Sequence, residues 1–216
     1  MTGARIGPLV GMIGSVFLAI AAVLTAVAYS GTAGEAFSPL NHWVSELGER
    51  GVSSLEVVFN VGLIVGGISL AVFMTGLGLA RRSRLAWLYV PIGIGAGLSG
   101  MLVGVFPMNE IGVHRIVALG FFNLGWIAVG LASLDVSRRH DSRFPSWLPW
   151  LGALTVLAFL GFLALYLPVL SYTGTDAQRP ALSLVVTFEW AVLIGIIAWT
   201  FAASFSWWRN NIAARA

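Results

Sequence analysis

The sequence predicts an all-α integral membrane bundle of six transmembrane helices, and three observations carry that expectation. Of 216 residues, 58% are hydrophobic and only 10% are charged, against about 25% charged in an ordinary soluble domain. The mean hydropathy is +0.89, more apolar side chain than a water-soluble fold can hide. The apolar residues also fall into six runs of ~20 residues or more, the length that crosses a ~30 Å hydrocarbon core.

Those runs cover residues 6–29, 55–80, 85–106, 113–135, 147–169 and 182–206, within a single domain of residues 1–216. Lipid offers no partner for a free backbone amide, so each span must be helical. Pro91 and the glycines from Gly93 to Gly104 are tolerated inside such spans. The first run contains Ala26-Val27-Ala28, a small-x-small form. It is too long for the apolar region of a cleaved signal, and only Arg5 precedes it, so it reads as a signal-anchor helix.

The loops set the orientation. All 12 basic residues are Arg, a bias of codon or lineage. Nine of them (Arg5, Arg81, Arg82, Arg84, Arg138, Arg139, Arg143, Arg209 and Arg215) fall on one side, and three (Arg50, Arg115 and Arg179) on the other. The positive-inside rule makes the Arg-rich side, with both termini, cytoplasmic. Trp147, Trp150, Trp207 and Trp208 lie at helix ends on that side, as interfacial aromatics do. The expected location is the cell membrane, with the lipid bilayer as the surrounding partner. The formal charge of +3 forms no basic stripe, so nucleic acid is not an expected partner. With no cysteine, disulfides, thiolate metal sites and cysteine nucleophiles are excluded.

The outer loops carry Glu35, Glu46, Glu49, Glu110 and Asp176, and the longest, residues 30–54, contains a short segment at 41–48 that reads as helical. An internal repeat points the same way. The run from Phe59 to Gly67 matches the run from Phe122 to Gly130 at five of nine positions, at an offset of 63. Ser45-Glu46-Leu47-Gly48 aligns with Asn109-Glu110-Ile111-Gly112, and Phe188-Glu189-Trp190-Ala191 offers a weaker third copy. The bundle therefore reads as repeated helix hairpins in parallel arrangement. Asn60, Asn123 and Glu189 would each lie roughly 8–15 Å below the outer surface, at 1.5 Å per residue. Polar groups at that depth face the bundle interior and pair there. Glu189 is then protonated, paired with Arg179 or Arg115, or part of a polar pocket; interhelical bonding that only holds the bundle is the plain alternative. The pairs Gly7/Gly11, Gly62/Gly66, Gly93/Gly97 and Gly100/Gly104 mark close packing within the bundle.

Some outer residues could carry chemistry. His42 and Glu46 are four apart, as are Glu110 and His114. If helical, each pair shares a face, and the four could hold a divalent ion for a metal-assisted hydrolase. No His-Glu-x-x-His accompanies them, and exposed helix-end side chains are the plainer reading. Ser45 followed by Glu46 looks more like a helix cap than a nucleophile. His140, beside Asp141, reads as a solvated loop residue.

Phe37-Ser38, Asn41, Ser45-Glu46-Leu47-Gly48, Phe59-Asn60 and the Gly-rich helix together resemble the domain-of-unknown-function family 998, small six-helix membrane proteins of archaea and bacteria. Phe106-Pro107 followed by His114 is similar to its second motif, and Gln178-Arg179 with Trp190 to its ending. Where the family shows Ser-Asp-Leu-Gly, this chain has Glu46. The resemblance spans about residues 10–205 and implies the six-helix topology. It also implies Ser45, Glu46, Asn60, His114 and Arg179 as motif positions, and no activity. The function expected is non-enzymatic: an outward-facing polar pocket of Ser45, Glu46, Asn60, His114, Asn123, Arg179 and Glu189. It would bind or move a small polar molecule or lipid headgroup, with no cofactor. The alternatives are the hydrolase using His42, Glu46, Glu110 and His114, and a structural or assembly partner.

Overall fold

The computed structural model describes residues 3–32, 34–139, 141–169 and 180–213. It contains six long helices: α1 (Gly3–Ala28), α2 (Glu56–Arg81), α3 (Ala86–Val105), α4 (Ile111–Arg138), α5 (Leu148–Val169) and α6 (Leu184–Ala213). Among the described residues there is no strand. All six helices are long and apolar enough to cross a membrane. Each packs on its neighbours in the chain, and α1 packs on α6, so the bundle closes into a ring in chain order.

The helix ends follow local chemistry. α2 stops at Arg81 because Arg82 takes the left-handed conformation (φ 47°) and returns its N–H to the Gly78 carbonyl. α3 stops at Val105 because Pro107 lies just beyond and disfavours helix in Phe106. The chain then turns through a short 3-10 segment, Met108–Glu110, into α4. Pro149 sits in the first turn of α5, where its missing N–H costs nothing. α4 and α6 run beyond the expected 113–135 and 182–206. Their polar ends, Asp135 to Arg138 and Ser206 to Asn211, continue the helix past the hydrocarbon-length run.

The exterior is what lipid requires. Ile13, Ile20, Leu154 and Ile194 are all more than half exposed within the helices, an apolar coat that water would not tolerate. Inside, Phe73, Met74, Tyr89, Val129, Trp199 and Trp207 fill the half of the bundle nearer the termini. A second cluster, Leu18, Tyr29, Leu47, Phe59 and Leu193, seats the α1–α2 loop on the other end. The small-residue pairs serve packing, as expected. A Cβ on Gly97 would sit 2.6 Å from the Gly67 carbonyl, so α2 and α3 touch backbone to backbone there. The end with the two termini is called below the arginine face, and the opposite end the loop face.

Candidate functional site

On the loop face, the segment expected to be helical at 41–48 is a tight 3-10 turn, Val44–Gly48, buried under the rim of the bundle. A buried turn must satisfy its first N–H groups without water. Two carboxylates do this: Trp43 N–H donates to Glu46 Oε1 at 3.0 Å, and Val44 N–H donates to Glu189 Oε2 at 2.8 Å. Tyr29 hydroxyl donates to Glu46 Oε2 at 3.4 Å. At the far end, Asn60 Nδ2 donates to the Gly48 carbonyl at 2.9 Å. The turn is thereby tied to α6 at its start and to α2 at its end.

The turn carries Ser45, whose hydroxyl donates to the thioether of Met108 at 3.1 Å, a weak acceptor. Opposite stands His114, in the first turn of α4 and buried. Its Nδ1 lies 2.8 Å from the Phe106 carbonyl, an orphan of the α3 terminus. A carbonyl only accepts, so Nδ1 carries the hydrogen and Nε2 is left as an acceptor.

These side chains bound two adjoining hollows. A vestibule of about 160 Å³ is lined by Trp43, Ser45, Met108, His114, Arg115, Tyr166 and Glu189, among others. Deeper, a chamber of about 100 Å³ is lined by α1, α2, α3, α4 and α6, chiefly with apolar residues from Phe59 and Leu63 down to Leu70 and Ile196. Ser45, His114, Ala118, Phe122 and Glu189 line both. The arrangement offers donors (Ser45, Arg115, Tyr166) and acceptors (His114 Nε2, Glu189) on one side of an apolar recess.

The other expected site residues are placed differently. Glu46 and Asn60 line neither hollow; they hold the turn that presents Ser45. Asn123 is exposed on the outer side of α4, and its Nδ2 donates to Leu119 O of its own helix at 2.8 Å. It is therefore not grouped with the others, whatever its match to Asn60 in the sequence. Arg179 lies outside the described residues, as does His140. Sequence reasoning missed Trp43, Met108 and Tyr166, and treated Arg115 only as an ion-pair partner. A tyrosine one turn from the end of an otherwise apolar span was the available signal for Tyr166.

The four-ligand metal alternative does not assemble. His42 is enclosed by Tyr29 and Phe37, with ring centroids at 5.5 and 5.1 Å. Its Nδ1 lies 2.8 Å from Asn41 Oδ1, and its carbonyl accepts Trp190 Nε1–H at 3.0 Å. Glu110 pairs instead with Arg50 at 3.5 Å on the surface, where Asn109 also clasps the Arg50 backbone. Among the described residues no group of three His, Asp or Glu side chains could hold a metal ion.

The arginine face holds a second polar cluster. Arg81 Nε donates to Asp135 Oδ2 at 2.9 Å and Arg81 Nη1 to Asp141 Oδ2 at 2.6 Å, with Arg81 and Asp135 almost wholly buried. Arg143 Nη2 also donates to Asp141 Oδ2, at 2.6 Å. Burial alone would raise the Asp141 pKa, but the hydrogen bonds from Arg143 and Arg81 outweigh it and hold the carboxyl at about 2. Arg81 and Arg143, expected only as loop charges, therefore clamp α2, α4 and the loop before α5 together. Asp141 is part of that clamp.

Fold and site together define a multi-pass α-helical membrane protein with a two-part cavity beneath its loop face. The chain belongs to the family described as protein of unknown function, DUF998, whose model matches residues 12–208. No curated protein and no solved structure matches it.

Proposed function

We propose that the protein binds, at an outward-facing vestibule, a small polar molecule or the headgroup of a lipid, as a non-enzymatic protein of the cell membrane. The Arg distribution makes the arginine face cytoplasmic and the loop face outward. One observation carries the reading: Ser45, His114 and Glu189 line both the polar vestibule and the apolar chamber. A ligand seated there meets hydrogen-bonding groups at its head and a dry recess behind. Buried polar groups around a small hollow with few charges are the usual form of a small-molecule site. Ser45 donates, His114 Nε2 accepts, the second Glu189 oxygen offers a further polar contact, and Arg115 supplies a cation at the rim. The geometry gives metal-assisted hydrolysis no support: Glu46 holds the turn, Glu110 pairs with Arg50 on the surface, and His42 is enclosed by Tyr29 and Phe37.

Native mass spectrometry of the detergent-purified chain tests this. The expected result is a stoichiometric adduct on the wild type that is lost when Ser45→Trp fills the vestibule. Partition of the released adduct between chloroform and water separates the two sources, lipid or free solute. A wild type that carries no adduct, or a variant that carries it unchanged, contradicts the proposal.

A further inference from the structure

The loop-face vestibule is small, and the two charged side chains that line it differ in burial. Its volume of about 160 Å³ lies below the roughly 300–1,000 Å³ of sites for drug-sized ligands, so its occupant is compact. Arg115 is exposed at the rim, beside the Tyr166 hydroxyl. Glu189 is buried, at 9% exposure. Among the described residues Glu189 forms no ion pair, and one of its oxygens already serves the Val44 amide. A buried carboxylate without a countercharge is costly, and no described side chain in contact with it supplies one.

The polar groups that share this wall with Glu189 are acceptors. His114 presents Nε2, because Nδ1 carries its hydrogen to the Phe106 carbonyl at 2.8 Å. The Ser45 hydroxyl directs its hydrogen to Met108 Sδ at 3.1 Å, and while that bond stands its oxygen can only accept. Ser45, His114 and Glu189 are the three polar residues common to the vestibule and the chamber. A primary ammonium carries three N–H donors and one positive charge: a donor for each of the three, and the countercharge that Glu189 lacks. Trp43, Tyr166, Phe162 and Phe122 run along one side with successive ring centroids 6.0, 5.1 and 3.9 Å apart. These rings keep water from the contact, which strengthens a charged hydrogen bond.

We propose that the vestibule takes a compact zwitterion with a primary ammonium group. The ammonium turns inward to Ser45, His114 and Glu189, and the anionic group turns outward to Arg115 and the Tyr166 hydroxyl. This rests on the reading of the vestibule as a binding site and adds the chemistry of its ligand. A free amino acid and the headgroup of an ethanolamine phospholipid share that chemistry.

Two pairs of probes, each setting an ammonium against a hydroxyl counterpart, test it on the full chain in detergent. Alanine against lactate is read by titration calorimetry, and phosphatidylethanolamine against phosphatidylglycerol of the same acyl chains by native mass spectrometry. In one pair the ammonium member should bind at least about tenfold more tightly, charged hydrogen bonds being gained. Discrimination in the alanine pair identifies a free solute, and discrimination in the lipid pair alone a headgroup. Glu189→Gln keeps a carbonyl oxygen for the Val44 amide and should erase the preference. Arg115→Gln, at an exposed position, should weaken both members of the pair by a similar factor; it keeps the test decisive should Glu189→Gln disturb the turn. Equal binding within both pairs overturns the proposal while leaving the vestibule a site for other chemistry. Failure of all four probes to bind also overturns it, and the adduct on the purified chain then decides the broader reading separately. So does a preference that Glu189→Gln leaves intact, or binding that Arg115→Gln leaves unchanged.

Discussion

Glu189 is the residue on which the loop-face site turns. One of its oxygens accepts the Val44 amide at 2.8 Å, so the carboxylate builds the turn as well as facing the vestibule. Glu189→Ala leaves that buried amide without an acceptor, at a cost of about 1–3 kcal/mol. Glu189→Gln keeps a carbonyl oxygen and should lose less. Thermal unfolding in detergent should rank wild type above Glu189→Gln and Glu189→Ala lowest; equal melting of the two variants would mean that the bond carries no stability. At the other face, Asp141 is held at a pKa of about 2, below its ordinary 3.8. A depressed carboxylate contributes stability that is fully present above the unfolded value and disappears as pH falls through the folded one. The melting temperature should therefore fall between pH 4 and about 2. Asp141→Asn should lower it at neutral pH and flatten that acid limb.

Among elements, the helices were legible because span length is set by membrane thickness and each run exceeds it. The short segment was legible only in part. Residues 41–48 read as helical, and 44–48 are, as a buried 3-10 helix; its tight form rests on two carboxyl groups and an asparagine, and one of those groups comes from 145 residues away. Asn123 shows a different limit. Its match to Asn60 is a similarity of type, not of facing. Nine residues separate it from His114, and nine residues are two and a half helical turns, which places the two on opposite sides of α4. His114, Ala118 and Phe122, spaced by four, share the lining face instead. The α2–α3 crossing gives a prediction at this scale. Gly67→Ala would place a Cβ 2.5 Å from the Gly97 carbonyl, and backbone cannot step aside as a side chain can. Overpacking of that kind costs about 1–3 kcal/mol. A lower melting temperature for Gly67→Ala is expected, with little change for Gly130→Ala, whose nearest contact is 3.5 Å.

For the whole molecule, the six spans and the membrane setting were readable from composition. How the ring closes was not, because nothing in an apolar helix announces which neighbour it meets. That closure, α1 upon α6, brings Glu189 over the turn that follows α1 and so assembles the vestibule from four separate stretches of chain. The absence of native cysteine makes the central claim directly measurable. In Ser45→Cys the thiol is the single one in the chain and stands in the vestibule wall. In intact cells, a membrane-impermeant thiol reagent added outside should modify it, and the modified protein should no longer carry the adduct seen on unmodified protein. Modification only after the cells are opened, or full retention of the adduct on the modified chain, would contradict an outward-facing binding site at this position.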